Sequence, residues 1–154
     1  MIVVIGILAA ITVVAYNGIQ NRANDSAVQS DLRSIAQRMA IYKLEGATGV
    51  YPTTLTLLNG MQLKMTRSAY ATVPQQTMNV TYCKNADASE YMFFVYSKSG
   101  KLYKVDHTNQ VQSIPPSTTI SNCGGAAGFN RTGTDFVNID AGYYDGDWRP
   151  WANH

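Results

Sequence analysis

From Ile2 to Tyr16 every position is apolar except Gly6 and Thr12, and no charged residue occurs before Arg22. The pattern changes after Asn17-Gly18. Val28, Leu32, Ile35, Met39 and Tyr42 then recur at spacings of 4, 3, 4 and 3, the stripe of an amphipathic helix. Gln29, Asp31, Arg33, Gln37, Arg38 and Lys43 fall on its other face. No proline interrupts this stretch, and Gly46 and Gly49 are the first stop signals. The pattern predicts one helix from about Ile2 to Leu44, about 65 Å long at 1.5 Å per residue. Its first half is greasy all round and its second half on one stripe only. The second half is therefore expected to pack on a globular head, while the first projects and needs another apolar environment.

Residues 46–60, GATGVYPTTLTLLNG, predict a loop and a short helix. Pro52 sets the turn, and Thr53 or Thr54 caps the helix before Leu55, Leu57 and Leu58. Residues 61–78, with Pro74, read as a connecting loop holding at most one strand. Strand patterns follow at NVTYC (79–83), EYMFFVYS (90–97) and KLYKVD (101–106). In the last, Leu102, Lys104 and Asp106 share one face and Tyr103 and Val105 the other. Lys98-Ser99-Gly100 between two strands is a hairpin signal. The expectation is a three-stranded antiparallel meander covered by the Val28–Tyr42 stripe, an α+β layout. Residues 115–154 are rich in Pro, Gly and Asn yet carry Phe129, Phe136, Tyr143, Tyr144, Trp148 and Trp151. So many aromatics argue against disorder, and the tail reads as a packed loop region. The organisation expected is 1–45 as the long helix, with 1–16 hydrophobic and 17–45 amphipathic, and 46–154 as the head.

Composition narrows the classes. Charged residues make up 14% of the 154 and the net charge is +2, with no Lys/Arg cluster, so nucleic acid is not an expected partner. Cys83 and Cys123 are the two cysteines, too few for a zinc site. They are read as a disulfide whose loop of about 40 residues contributes roughly 4 kcal/mol in the loop-entropy model, and which places the head outside a reducing cytosol. The opening run lacks the basic n-region and cleavage site of a secretory signal. It is also a few residues short of the roughly 20 that span a bilayer, so the native segment is expected to start upstream of Met1.

IVVIGILAAITVVAYNGIQNRA resembles the N-terminal segment of bacterial type IV pilins and the related pseudopilins. Gly6-Ile7-Leu8-Ala9-Ala10-Ile11 and Ala15-Tyr16 match that family's pattern, and about 22 residues carry the likeness directly. The resemblance implies a pilin-like fold: a long N-terminal helix against an antiparallel sheet, with a disulfide-bounded loop region near the C-terminus. Here the bridge would enclose 84–122, leaving a longer tail beyond it than the simple pattern has. Function is implied likewise: a structural subunit that leaves the cytoplasmic membrane to polymerise into a surface fimbrium serving adhesion or motility. Ile2, Val3, Val4, Ile5, Gly6, Ile7, Leu8, Ala9, Ala10, Ile11, Val13, Val14 and Tyr16 would form the filament core. Val28, Leu32, Ile35, Met39 and Tyr42 would hold the helix to the head. The implied partners are other copies of the chain, a prepilin peptidase, a platform protein and an assembly ATPase. The family's peptidase site, methylated N-terminal residue and early glutamate have no match in the segment and are expected upstream of Met1. Val14 stands where many members have proline; with Gly6, Thr12 and Val13 it marks residues 6–14 as the weakest part of the helix. The alternatives are a pseudopilin of a secretion or DNA-uptake system and, from a different class, a monomeric membrane-anchored binding module.

Other chemistry is sparse. No GxSxG, HExxH, P-loop or paired-carboxylate arrangement occurs, so neither catalytic residues nor a cofactor are expected. Asp145-Gly146-Asp147, with Asp135 and Asp140 nearby, offers oxygen ligands for Ca²⁺, but Asp-Gly is first a turn former and no metal site is expected. His107 and His154 read as solvated or hydrogen-bonded. Asn24, Asn79 and Asn130 begin N-x-[ST] triplets, which chance accounts for in so Asn-, Ser- and Thr-rich a chain.

Overall fold

The computed structural model describes residues 2–71, 79–115, 137–141, 143–144, 147–148 and 152–153. Helix α1 runs from Ile2 to Glu45 without a break, 44 residues in all. It passes through Gly6 and Val14, and Thr12 lends its hydroxyl to the Leu8 carbonyl at 2.7 Å. Gly46 closes the helix by donating its N–H to the Tyr42 carbonyl. Helix α2, Leu55–Met61, starts at Thr54, whose hydroxyl oxygen accepts from the Leu57 N–H at 3.3 Å. Of the two candidate caps the sequence offers, the second is used. Thr54→Ala is expected to cost about 1 kcal/mol and to lower the thermal midpoint by a few degrees in a calorimetric scan, with unchanged far-UV circular dichroism.

After α2 come β1 (Leu63–Lys64), a 3-10 turn (Arg67–Ala69), β2 (Val80–Lys84), β3 (Tyr91–Tyr96), β4 (Leu102–Asp106), β5 (Val111–Ile114), β6 (Val137–Ala141), β7 (Tyr143–Tyr144), β8 (Asp147–Trp148) and β9 (Ala152–Asn153). The main sheet is antiparallel in the order β5-β4-β3-β2-β6. β7 and β8 form a short antiparallel pair, and β1 pairs with β9 in parallel. The architecture is α+β.

Two expectations are corrected. The meander of β2, β3 and β4 is not the whole sheet: β5 and β6 extend it on both edges. VQSI at β5 has only Val111 and Ile114 as apolar positions, too short a pattern to stand out from a loop. The tail is not simply loop either, since 137–141, 143–144, 147–148 and 152–153 are strands. β6 is specified by pairing with β2, more than fifty residues earlier in the chain, with a register shift between Tyr82 and Cys83. The alternation of VNIDA marks a strand but does not name the partner it pairs with.

The sheet is buried on both faces. Tyr82, Tyr91, Phe93, Val95, Tyr103 and Val105 face α1 and join Val28, Leu32, Ile35 and Met39 in one core. Tyr42 packs against that core, half-buried. Cys83, Met92, Phe94, Tyr96, Leu102 and Ile114 form a second buried cluster on the reverse face. This explains why YMFFVY at β3 does not alternate: a strand covered on both sides needs apolar residues at every position. Tyr82 and Phe93 stack with ring centroids 4.8 Å apart, Tyr51 meets Tyr91 edge-on at 4.5 Å, and the Tyr82 hydroxyl donates to the Pro52 carbonyl.

Candidate functional site

Among the described residues the largest exposed apolar feature is the first half of α1. Ten large hydrophobic residues, from Val3 to Ile19, are each 56–73% exposed. Val3, Val4, Ile5, Ile7, Leu8, Ile11, Val13, Val14 and Tyr16 project on every side of the helix, so this is a sleeve and not a stripe. Gly6 and Ala10 lie in the same exposed stretch. A Cβ at Gly6 would meet nothing within 4 Å, so the glycine relieves no crowding against the described residues. A soluble monomer rarely leaves such a continuous apolar surface in water. Among the described residues one helix is long and apolar enough to cross a membrane, and this sleeve is its apolar part.

The sleeve ends where the head begins, and polar groups fix the junction. Asp25, one turn past Arg22, is 5% exposed. It accepts from the Lys101 ammonium at 2.8 Å and from the Ser99 hydroxyl, both in the hairpin joining β3 to β4. Gly100 makes that turn at φ +86°, a conformation that glycine adopts without strain. Burial pushes the Asp25 carboxyl up, but hydrogen bonds from Lys101, Ser99 and Ser97 and the Lys101 charge outweigh it, and its pKa lies below the usual value. A lowered folded-state pKa means stability that is present above the unfolded value of about 4 and lost as pH falls through the folded one. Asp25→Asn is therefore expected to lower stability by about 1–2 kcal/mol near pH 7. It should also flatten the loss of stability as pH falls below about 4, read by urea unfolding across the acid range.

Asp31 makes a second clamp. It accepts from the Thr66 N–H at 2.6 Å, the Thr66 hydroxyl at 3.2 Å and the Tyr70 hydroxyl at 3.0 Å. Burial first, and then the Asp31 charge, pushes the Tyr70 phenol well up. Further along, Lys43 donates to the Ser89 carbonyl at 3.0 Å and lies over the Tyr51 ring. This corrects the placement of Asp31 and Lys43 on an outward polar face. The head wraps more of the helix than the apolar stripe alone, and polar side chains at the margins of the stripe are used as pins. At the far end of the chain, the Arg67 guanidinium donates twice to the Ala152 carbonyl and stacks on Trp148, which meets Tyr70 edge-on.

Cys83 is buried and is not a free thiol; Cys123 lies outside the described residues, as do Phe129, Asn130, Asp135, Phe136, Asp145, Trp151 and His154. Asn79 is buried and out of reach of a glycan. His107 is half-buried beside Glu90, 3.8 Å away. Among the described residues no group of three or more His, Cys, Asp or Glu side chains converges. The side chains of Ile2 and Ala9 are not among those described.

No protein-family model matches the chain, no curated protein matches it, and no solved structure matches it.

Proposed function

We propose that this chain is the structural subunit of a filament of the type IV pilus kind, with a pilin-like fold. The observation that carries the reading is the contrast within α1: apolar and exposed all round up to Ile19, apolar and buried on one stripe from Val28 onward. A sleeve of this kind suits two environments in turn. In the cytoplasmic membrane it is solvated by lipid tails. In the filament it trades lipid for the sleeves of neighbouring copies, and Gly6, Ala9, Ala10 and Ala15 allow close approach, as small residues do between helices in bilayers. The filament core is then formed by residues 2–16 and the outer wall by the heads, each closed by a Cys83–Cys123 bridge. Maturation by a prepilin peptidase and extrusion by a platform protein and an ATPase belong to the same reading.

The exposed sleeve also suits a monomeric membrane-anchored binding module, and one experiment separates the two. Cells expressing the native gene are sheared, and the released material is stained and labelled with antibody raised to residues 46–154. Fibres labelled along their length are expected. Protein confined to the membrane fraction, with no labelled fibre, would favour the anchor or a pseudopilin.

A further inference from the structure

Directly above the sleeve, α1 and the β3–β4 hairpin form an open groove of about 350 Å³ lined by Arg22, Asp25, Ser26, Gln29, Arg33, Lys101 and Tyr103. Arg22, Ser26, Gln29 and Arg33 follow one another at spacings of 4, 3 and 4, so they share one helix face. Three cations stand against one carboxylate, and that carboxylate is already committed to Lys101 and Ser99. Arg22 and Arg33 are exposed and have no ion-pair partner among the described residues. The groove is thus a surplus of positive charge at a fixed height on the helix.

That height selects the ligand. With Ile19 at the edge of the hydrocarbon, Arg22 stands about 4.5 Å further along the axis. The headgroup layer of one leaflet is about 5–8 Å deep. Lys101 is held to Asp25, one turn further along at about 9 Å, so Arg22 lies at phosphate depth and Lys101 at the outer edge of the layer. A guanidinium binds two phosphate oxygens at once, and the Ser26 hydroxyl is one turn away on the same face. Arg33 is too far along the axis for direct contact and adds to the attracting field. We propose that this groove binds the phosphodiester headgroup of an anionic lipid and so seats the unassembled subunit at a fixed depth. The inference rests on the membrane residence in the function proposed above.

The test uses the full chain reconstituted in phosphatidylcholine vesicles with spin-labelled phosphatidylglycerol or spin-labelled phosphatidylcholine as probe. Electron paramagnetic resonance reports the share of each probe held at the protein surface. A preference for the anionic probe of about fivefold is expected for one well-placed arginine. It should shrink as ionic strength rises and the Debye length falls from about 30 Å at 0.01 M to about 3 Å at 1 M. Arg22→Gln should remove most of the preference and Arg33→Gln a smaller part. Arg38→Gln, which removes a charge outside the groove, should leave it unchanged. Equal binding of the two probes, or a preference that survives Arg22→Gln, would overturn the inference while leaving the membrane reading intact. No surface-held lipid at all would overturn both.

Discussion

Ala10→Lys is expected to abolish filament assembly and to leave the head as stable as before. Ala10 is exposed in the middle of the sleeve, and the buried core begins only at Val28, so the new charge touches nothing that folds the head. In the bilayer a central lysine costs about 2.5–3.5 kcal/mol. In a filament core every copy would bring the same charge into the same apolar bundle, so the penalty recurs at each contact. The yield of sheared fibres should fall by at least about tenfold, which corresponds to only about 1.4 kcal/mol per subunit added. The thermal midpoint of the detergent-solubilised chain should move by no more than about 2 °C, since a surface change away from packed features stays within about 0.5 kcal/mol. The paired change at Ala9 and Ala10 should be more severe. Normal fibres from either variant would refute packing through this segment.

Leu32→Ala has the opposite signature. Leu32 is on the same helix, fully buried between α1 and the sheet. Truncating such a leucine costs about 3 kcal/mol, transfer and cavity terms together, and should lower the melting temperature by roughly 10 °C for a head of this size. Leu8→Ala, the same chemical change in the exposed half, should leave the melting temperature where it was. Calorimetry on the two variants side by side reads the division of α1 directly. Equal losses at both positions would mean that the first half is also packed against the head.

The helix was legible in the sequence because its two halves have different periodicities and both are local. A run without polar positions and a 4-3-4-3 stripe each follow from neighbours a few residues apart, and so do the hairpin at Lys98-Ser99-Gly100 and the cap at Thr54. β6 was missed although VNIDA alternates apolar and polar residues throughout, because the segment is short, lies in a Pro-, Gly- and Asn-rich tail, and has its partner β2 far away in the chain. The role of Asp25 was hidden for a related reason. A carboxylate on a helix reads as solvent-facing until a hairpin some seventy-five residues later brings Ser99 and Lys101 against it. Asp31 repeats the case with Thr66 and Tyr70. The sleeve was legible for the same local reason as the stripe: a run apolar on every side cannot pack on one head, and the structure leaves it exposed while the later stripe is buried.

Photo-crosslinking shows whether this surface meets the same surface of other copies. A photoreactive phenylalanine analogue placed at Leu8 is irradiated in sheared material and in whole cells. A ladder of dimers, trimers and higher multimers of this chain is expected, lost when the same analogue replaces exposed Ser30 on the head half of α1. A probe at Leu8 that yields only monomer and lipid adducts would contradict it.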